Sequence, residues 1–128
     1  MKKKTEINPE HKMIESLGLK LNLTKSEIGA LIHVITEIRS YWLQTKFRLF
    51  GSKASGTSDS ESDLDLLIEI PGKITESIRK DIIHLIFDIN LEYNTNISAM
   101  IVSEAEWESP PYSLLPIYSY IQEEGVSL

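Results

Sequence analysis

The chain has 128 residues, 41% of them apolar and 25% charged, with 13 lysines and arginines against 19 acids and a formal net charge of -6. That is the composition of one globular domain able to bury its own core, and it excludes a disordered chain. Cysteine is absent, which rules out disulfides, thiolate zinc sites, iron–sulfur ligation and cysteine nucleophiles together. The acidic balance argues against a protein that grips nucleic acid through its phosphates. The one basic run, Lys2 to Lys4, reads as a solvated tail. No apolar stretch approaches the roughly 20 residues that span a bilayer, and no apolar region follows the lysines as a secretory signal would require. A cytoplasmic protein is expected.

Residues 1–22 combine a charged start, Pro9, a short amphipathic stretch (Met13, Ile14, Leu17) and Gly18, and predict a loosely attached helix and turn. Thr24 and Glu27 have capping-box spacing, in which hydroxyl and carboxylate satisfy each other's backbone amides. Apolar residues at Ile28, Leu31, Ile32, Ile35, Ile38 and Trp42 then keep a helical period, and the helix should end near Leu43 or Gln44. Phe47, Leu49 and Phe50 form a short β-type run stopped by Gly51, and residues 52–62 are small and polar. A strand over Asp63 to Ile70 is closed by Pro71 and Gly72, a strong turn signal. Ile78, Ile82, Leu85, Ile86, Ile89 and Tyr93 mark a second amphipathic helix, and Ile97 to Val102 a third strand. After Pro110 and Pro111 comes a short helix from about Ile117 to Glu124, with Gly125 placed as a helix C-cap. The order predicts an α/β (α+β) domain, a small mixed sheet backed by helices on one face.

The chemistry concentrates in two places. Alternation along a strand puts Asp63 and Asp65 on one face and Leu64, Leu66, Ile68 and Ile70 on the other. Two like charges about 5 Å apart at an effective dielectric of about 20 repel by on the order of 3 kcal/mol. A divalent cation reverses that sign, and hard oxygen donors suit magnesium. The second place is the turn at Gly51, Ser52 and Lys53. Glycine lets the next amides approach a ligand, a helical turn begun there would aim them and the Ser52 hydroxyl at a phosphate, and Lys53 adds a cation. A phosphate cradle and a carboxylate pair joined by a ten-residue spacer would hold a nucleoside triphosphate with its metal. A Walker-type loop over Gly51 to Gly56 fails because Thr57 stands where lysine is required, and a calcium loop starting at Asp59 fails at Leu64 and Ile70.

Gly51 and Ser52, ten residues, then Asp63, Leu64 and Asp65 resemble the minimal nucleotidyltransferases of the DNA polymerase β superfamily. The resemblance covers residues 24–128 and implies a nucleotidyltransferase domain over 23–128 behind an N-terminal segment, 1–22. It implies that Gly51, Ser52 and Lys53 bind the triphosphate, and that Asp63 and Asp65 are catalytic ligands of Mg2+ or Mn2+. Lys53 replaces the family's usual arginine, and Ser55 stands where a second arginine is common. The family's third carboxylate falls on the next strand, where alternation offers Asn96 and Ser98 instead of an acid; Glu92 and Glu104 are carboxylates elsewhere that could substitute. The implied activity is transfer of an NMP group from an NTP, ATP first, to a hydroxyl. The length leaves no room for a large acceptor-binding domain, so the acceptor is expected on another protein. Relatives of this size are often antitoxins paired with HEPN-type ribonuclease toxins, some modifying a tyrosine of that partner. The alternative is a catalytically degenerate module that masks such a partner; a small-molecule nucleotidyltransferase ranks last. Acceptor, nucleobase and oligomeric state stay open, a homo-oligomer included.

Other polar and aromatic residues have plainer readings. Asp59 and Glu61 are expected to be solvated loop charges, and His33 and His84 surface residues of their helices. Trp42 and Trp107 are expected as core or interface anchors, with Tyr112, Tyr118 and Tyr120 packing around the last helix.

Overall fold

The computed structural model describes residues 9–56 and 62–128; the lysine run and the acids Asp59 and Glu61 lie outside them. The capping box at Thr24 forms as its residues predict. The Thr24 hydroxyl accepts the Glu27 amide at 3.0 Å, and Glu27 Oε1 accepts the Thr24 amide at 2.9 Å. This starts helix α2 (Lys25–Tyr41), which buries Ile28, Leu31, Val34, Ile35 and Ile38 along one side. The helix stops short of Leu43 because Trp42 leaves helical geometry (φ -133°, ψ 87°) and its carbonyl is taken by the Thr45 amide and hydroxyl. Before it, α1 (Pro9–Lys20) lies on α2: Ile14 is 1% exposed, His11 bonds Thr36 at 3.0 Å, and Glu10 pairs with Arg39.

Strand β1 (Lys46–Phe50) follows, then a single helical turn, α3 (Ser52–Ser55), and β2 (Leu64–Ile70). The expected strand start at Asp63 moves to Leu64, whose amide makes the first bond toward the neighbouring strand, to the Asn96 carbonyl. Helix α4 (Glu76–Tyr93) is capped by the Thr75 hydroxyl and closed by Asn94 in the left-handed region. It carries the chain across to β3 (Ile97–Ser103), parallel to β2, as a parallel pair demands of its connection. After α5 (Glu104–Trp107), a 3-10 turn (Tyr112–Leu114) and α6 (Pro116–Glu124), the two-residue β4 (Val126–Ser127) pairs antiparallel with β1. The sheet order is β3-β2-β1-β4. Gly125 caps α6, but with ordinary extended backbone; glycine is needed there because a Cβ would collide with the Ile121 carbonyl oxygen and then with the Arg48 side chain.

The main core joins α2 and α4 to one face of the sheet through Phe47, Leu49, Leu64, Leu66, Ile68, Ile97 and Ile101. The expectation of helices on one face only is corrected by the other side. There Leu67, Val102, Trp107 and Ile121 form a second buried cluster under α5 and α6. The physical reason is in β2, where five successive residues, Leu66 to Ile70, are all buried, Leu67 and Glu69 on the second face; a strand covered on both faces cannot keep one side polar and solvated. Trp107 is fully buried there, as its type suggests, between Tyr112 and Tyr118. Along the free side of β3, side chains take backbone groups. The Asn90 amide bonds both the Ile97 amide and carbonyl, Arg79 donates to the Ile101 carbonyl, and Glu106 accepts the Ser103 amide.

Candidate functional site

Gly51 ends β1 with φ 80° and ψ -163°, a region that only glycine enters without strain. The turn it makes reverses the chain into α3, where the Ala54 amide reaches back to the Gly51 carbonyl at 3.1 Å and Gly56 closes the turn in the left-handed region. One turn of helix leaves its first amides without intrahelical acceptors. Directly beside it, β2 pairs Asp65 with Phe50 on one side, and with Ser98 of β3 on the other. The Asp65 carboxylate lies so close to the turn that a Cβ on Gly51 would strike its Oδ2. Glycine is therefore required twice, for its φ and for the acid beside it. Gly51→Ala is expected to cost about 1–3 kcal/mol in backbone strain alone and to push Asp65 from its place. Urea unfolding together with Mn2+ titration checks both effects.

Asp63 precedes β2 and is exposed, while Asp65 is half-buried. Asp65 holds its proton more strongly than an ordinary carboxyl, first because burial strips its water and second because Asp63 lies near enough to repel its charge. The two acids thus lie near enough for one charge to act on the other. Among the described residues no donor is bonded to the Asp65 carboxylate, and Asp63 accepts only from the Asn96 side-chain amide. A half-buried, unbonded carboxylate next to a second one has the donor chemistry for a hard divalent cation. These two acids would be its ligands from the protein. No group of three or more potential metal ligands occurs among the described residues.

The remaining expected residues fall as follows. Ser52 opens α3, half-buried. Lys53, expected to face a phosphate, is instead 4% exposed, and its ammonium pairs with Glu27 Oε2 at 2.9 Å. The sequence accounts for Glu27 by its cap alone, so nothing there signals the second partner. Asn96 and Ser98 do flank the acids, one bonded to Asp63 and one opposite Asp65. Glu104 pairs with Lys46, which lies across from Glu69 at the far end of the strands, and Glu92 belongs to α4 on the opposite face of the sheet. Neither replaces a third acid. His33 meets the Tyr93 hydroxyl at 3.3 Å, and Tyr118 donates to Glu108 at 2.8 Å. Glu69, buried on the same face as Asp65, also holds its proton more strongly than usual through burial, with Arg48 and Lys46 opposing. Among the described residues no helix is long and apolar enough to cross a membrane.

Comparison with known proteins bears on this geometry. No curated protein matches the chain. A solved structure from Sulfolobus solfataricus, which carries a provisional assignment as a nucleotidyltransferase, aligns at 18% identity over 96% of this chain and 89% of its own, with a TM-score of 0.48. The model of the nucleotidyltransferase domain family matches residues 31–125. That span runs from inside α2 through the glycine turn, both aspartates and β3 to the end of α6, and it makes this chain a member of the nucleotidyltransferase domain family.

Proposed function

We propose that the protein moves a nucleoside monophosphate from a nucleoside triphosphate, ATP first among them, to a hydroxyl group presented by a partner protein. The observation that carries the reading is the Asp65 carboxylate set against the Gly51 backbone and electrostatically coupled to Asp63. An acidic pair adjoining a glycine-serine turn is what a magnesium triphosphate needs. The Gly51–Ser52 turn would seat the phosphates, and Asp63 and Asp65 would hold Mg2+ or Mn2+. The bound cation supplies charge neutralisation at the α-phosphate and at the leaving group. The acceptor oxygen bonds the α-phosphorus as the bond to the bridging oxygen of the β-phosphate breaks; pyrophosphate departs and the acceptor proton passes to solvent. Ser52, at the start of α3, would orient the phosphates. A HEPN-type toxin is the partner that the family resemblance suggests, in the cytoplasm.

A second reading is favoured by Asn96 and Ser98, which flank the acids without adding a third: a module that retains the fold and masks a partner without turnover. One experiment separates the two. The chain is incubated with labelled ATP, Mg2+ and candidate partner proteins, beside Asp63→Asn. Label on the partner that is lost by on the order of 100-fold in the variant supports transfer. Partner binding with no label, and no calorimetric signal for magnesium-ATP, leaves the masking module.

A further inference from the structure

Glu27 stands outside the cleft, yet its two oxygens serve different parts of the molecule. Oε1 closes the cap of α2 on the Thr24 amide, and Oε2 takes the Lys53 ammonium at 2.9 Å, with the two side chains only 12% and 5% exposed. Lys53 belongs to α3, four residues long. A single turn of helix has almost no stability of its own, since nucleation fixes several residues for one hydrogen bond. What holds α3 in place must come from its contacts. On one side it continues from β1 through Gly51; on the other, Ala54 packs on the main core and Lys53 reaches the first turn of α2. Helix α2 is itself anchored by Ile28, Leu31 and Ile35.

We infer that Glu27 is a positioning residue: through Lys53 it fixes the Gly51–Ser52 turn at the distance from Asp65 that a triphosphate bridging turn and metal requires. The inference rests on the reading of that turn as the phosphate seat. It assigns Lys53 a different task from a phosphate ligand, because an ammonium this buried presents its charge to Glu27. Removing either partner takes away a buried opposite charge from the other, and the short α3 is the element able to move in response.

The test uses the full chain with Glu27→Gln, Lys53→Met and the double variant. Glutamine retains the cap bond to Thr24 while losing the charge, and the double variant removes both charges of this pair. Two readouts are taken: amide hydrogen exchange at residues 52–55, and affinity for magnesium-ATP by calorimetry. Each single variant is expected to speed exchange across α3 and to weaken nucleotide binding about tenfold or more, the scale of a misplaced binding group. The double variant is expected to lose no more in either readout than the worse single variant, a coupling that a double-mutant cycle isolates. Unchanged exchange in the single variants overturns the inference. So does a double variant whose losses are the two single losses combined, since Glu27 and Lys53 would then act separately. Should the parent bind no magnesium-ATP, the phosphate-seat reading fails while the exchange data still decide whether Glu27 places the turn.

Discussion

Asp65→Asn is expected to abolish divalent-cation binding and to lower transfer by on the order of 10²–10³-fold, while making the fold more stable at neutral pH. The two effects share one origin. Burial and the nearby Asp63 hold the Asp65 proton more tightly in the folded chain than in the unfolded one. The native state therefore binds more protons between the two pKa values, and its stability falls as pH rises through that window. At neutral pH the parent carries the whole cost of an ionised Asp65, and asparagine removes it. The gain is expected as a rise of a few degrees in Tm. The advantage should vanish once the solution is acidic enough to protonate Asp65 in both states. Cation binding in the parent should weaken on the same descent, because proton and metal compete for one carboxylate. Thermal unfolding at neutral and acidic pH, with Mn2+ calorimetry, reads all of this. A variant less stable than the parent at neutral pH would mean that Asp65 is a structural group and not one held ready for a cation.

Trp107→Ala is expected to cost about 3–5 kcal/mol, the range for emptying a large aromatic site. Against the 5–15 kcal/mol that typically holds a domain together, much of the total would go. Among the described residues the second cluster's other buried members are Leu67, Val102 and Ile121, with Phe50, Met100 and Ile117 packed against them, and the indole ring lies 4.9 Å from Tyr118 and 5.8 Å from Tyr112, centre to centre. It also donates to Gln122 at 3.3 Å. Urea denaturation should show a lower midpoint with an unchanged slope. A loss below about 1 kcal/mol would instead show that the α5–α6 cover collapses onto the sheet without the ring.

The features legible in the sequence are those whose partners lie close along it or obey a strict period. Thr24 and Glu27 are three residues apart, and their cap forms as read. Alternation predicts Asp63 and Asp65 on one face; Asp63 lies just ahead of β2, and its charge acts on Asp65. The spacing from Gly51 to Asp65 is read as one site through its resemblance to a known family, and β-pairing of Phe50 with Asp65 brings the two ends together. The illegible features depend on packing between distant segments. A lysine beside a glycine-serine turn reads as a cation for phosphate, and only the approach of α3 to α2 reveals Lys53 as buried against Glu27. The cover of the second sheet face comes from short pieces around Pro110 and Pro111, too brief to show a period. Its one advance sign was Leu67, an apolar residue on the same face as the aspartates. At the end of α2 the apolar pattern continues into Leu43, yet that side chain is exposed; hydrophobicity alone does not mark where a helix stops.

The residues Ile97 to Ser103 contain neither charge nor proline, a makeup that in an outermost strand invites other chains to stack on it. Four of its outward backbone groups are already occupied by Asn90, Arg79 and Glu106. An incoming strand would have to evict them before it could zip on. Folding of α4 thus works as a guard against fibril-like growth. The most vulnerable moment for this chain is the interval in synthesis or unfolding when β3 exists without the helix that shields it.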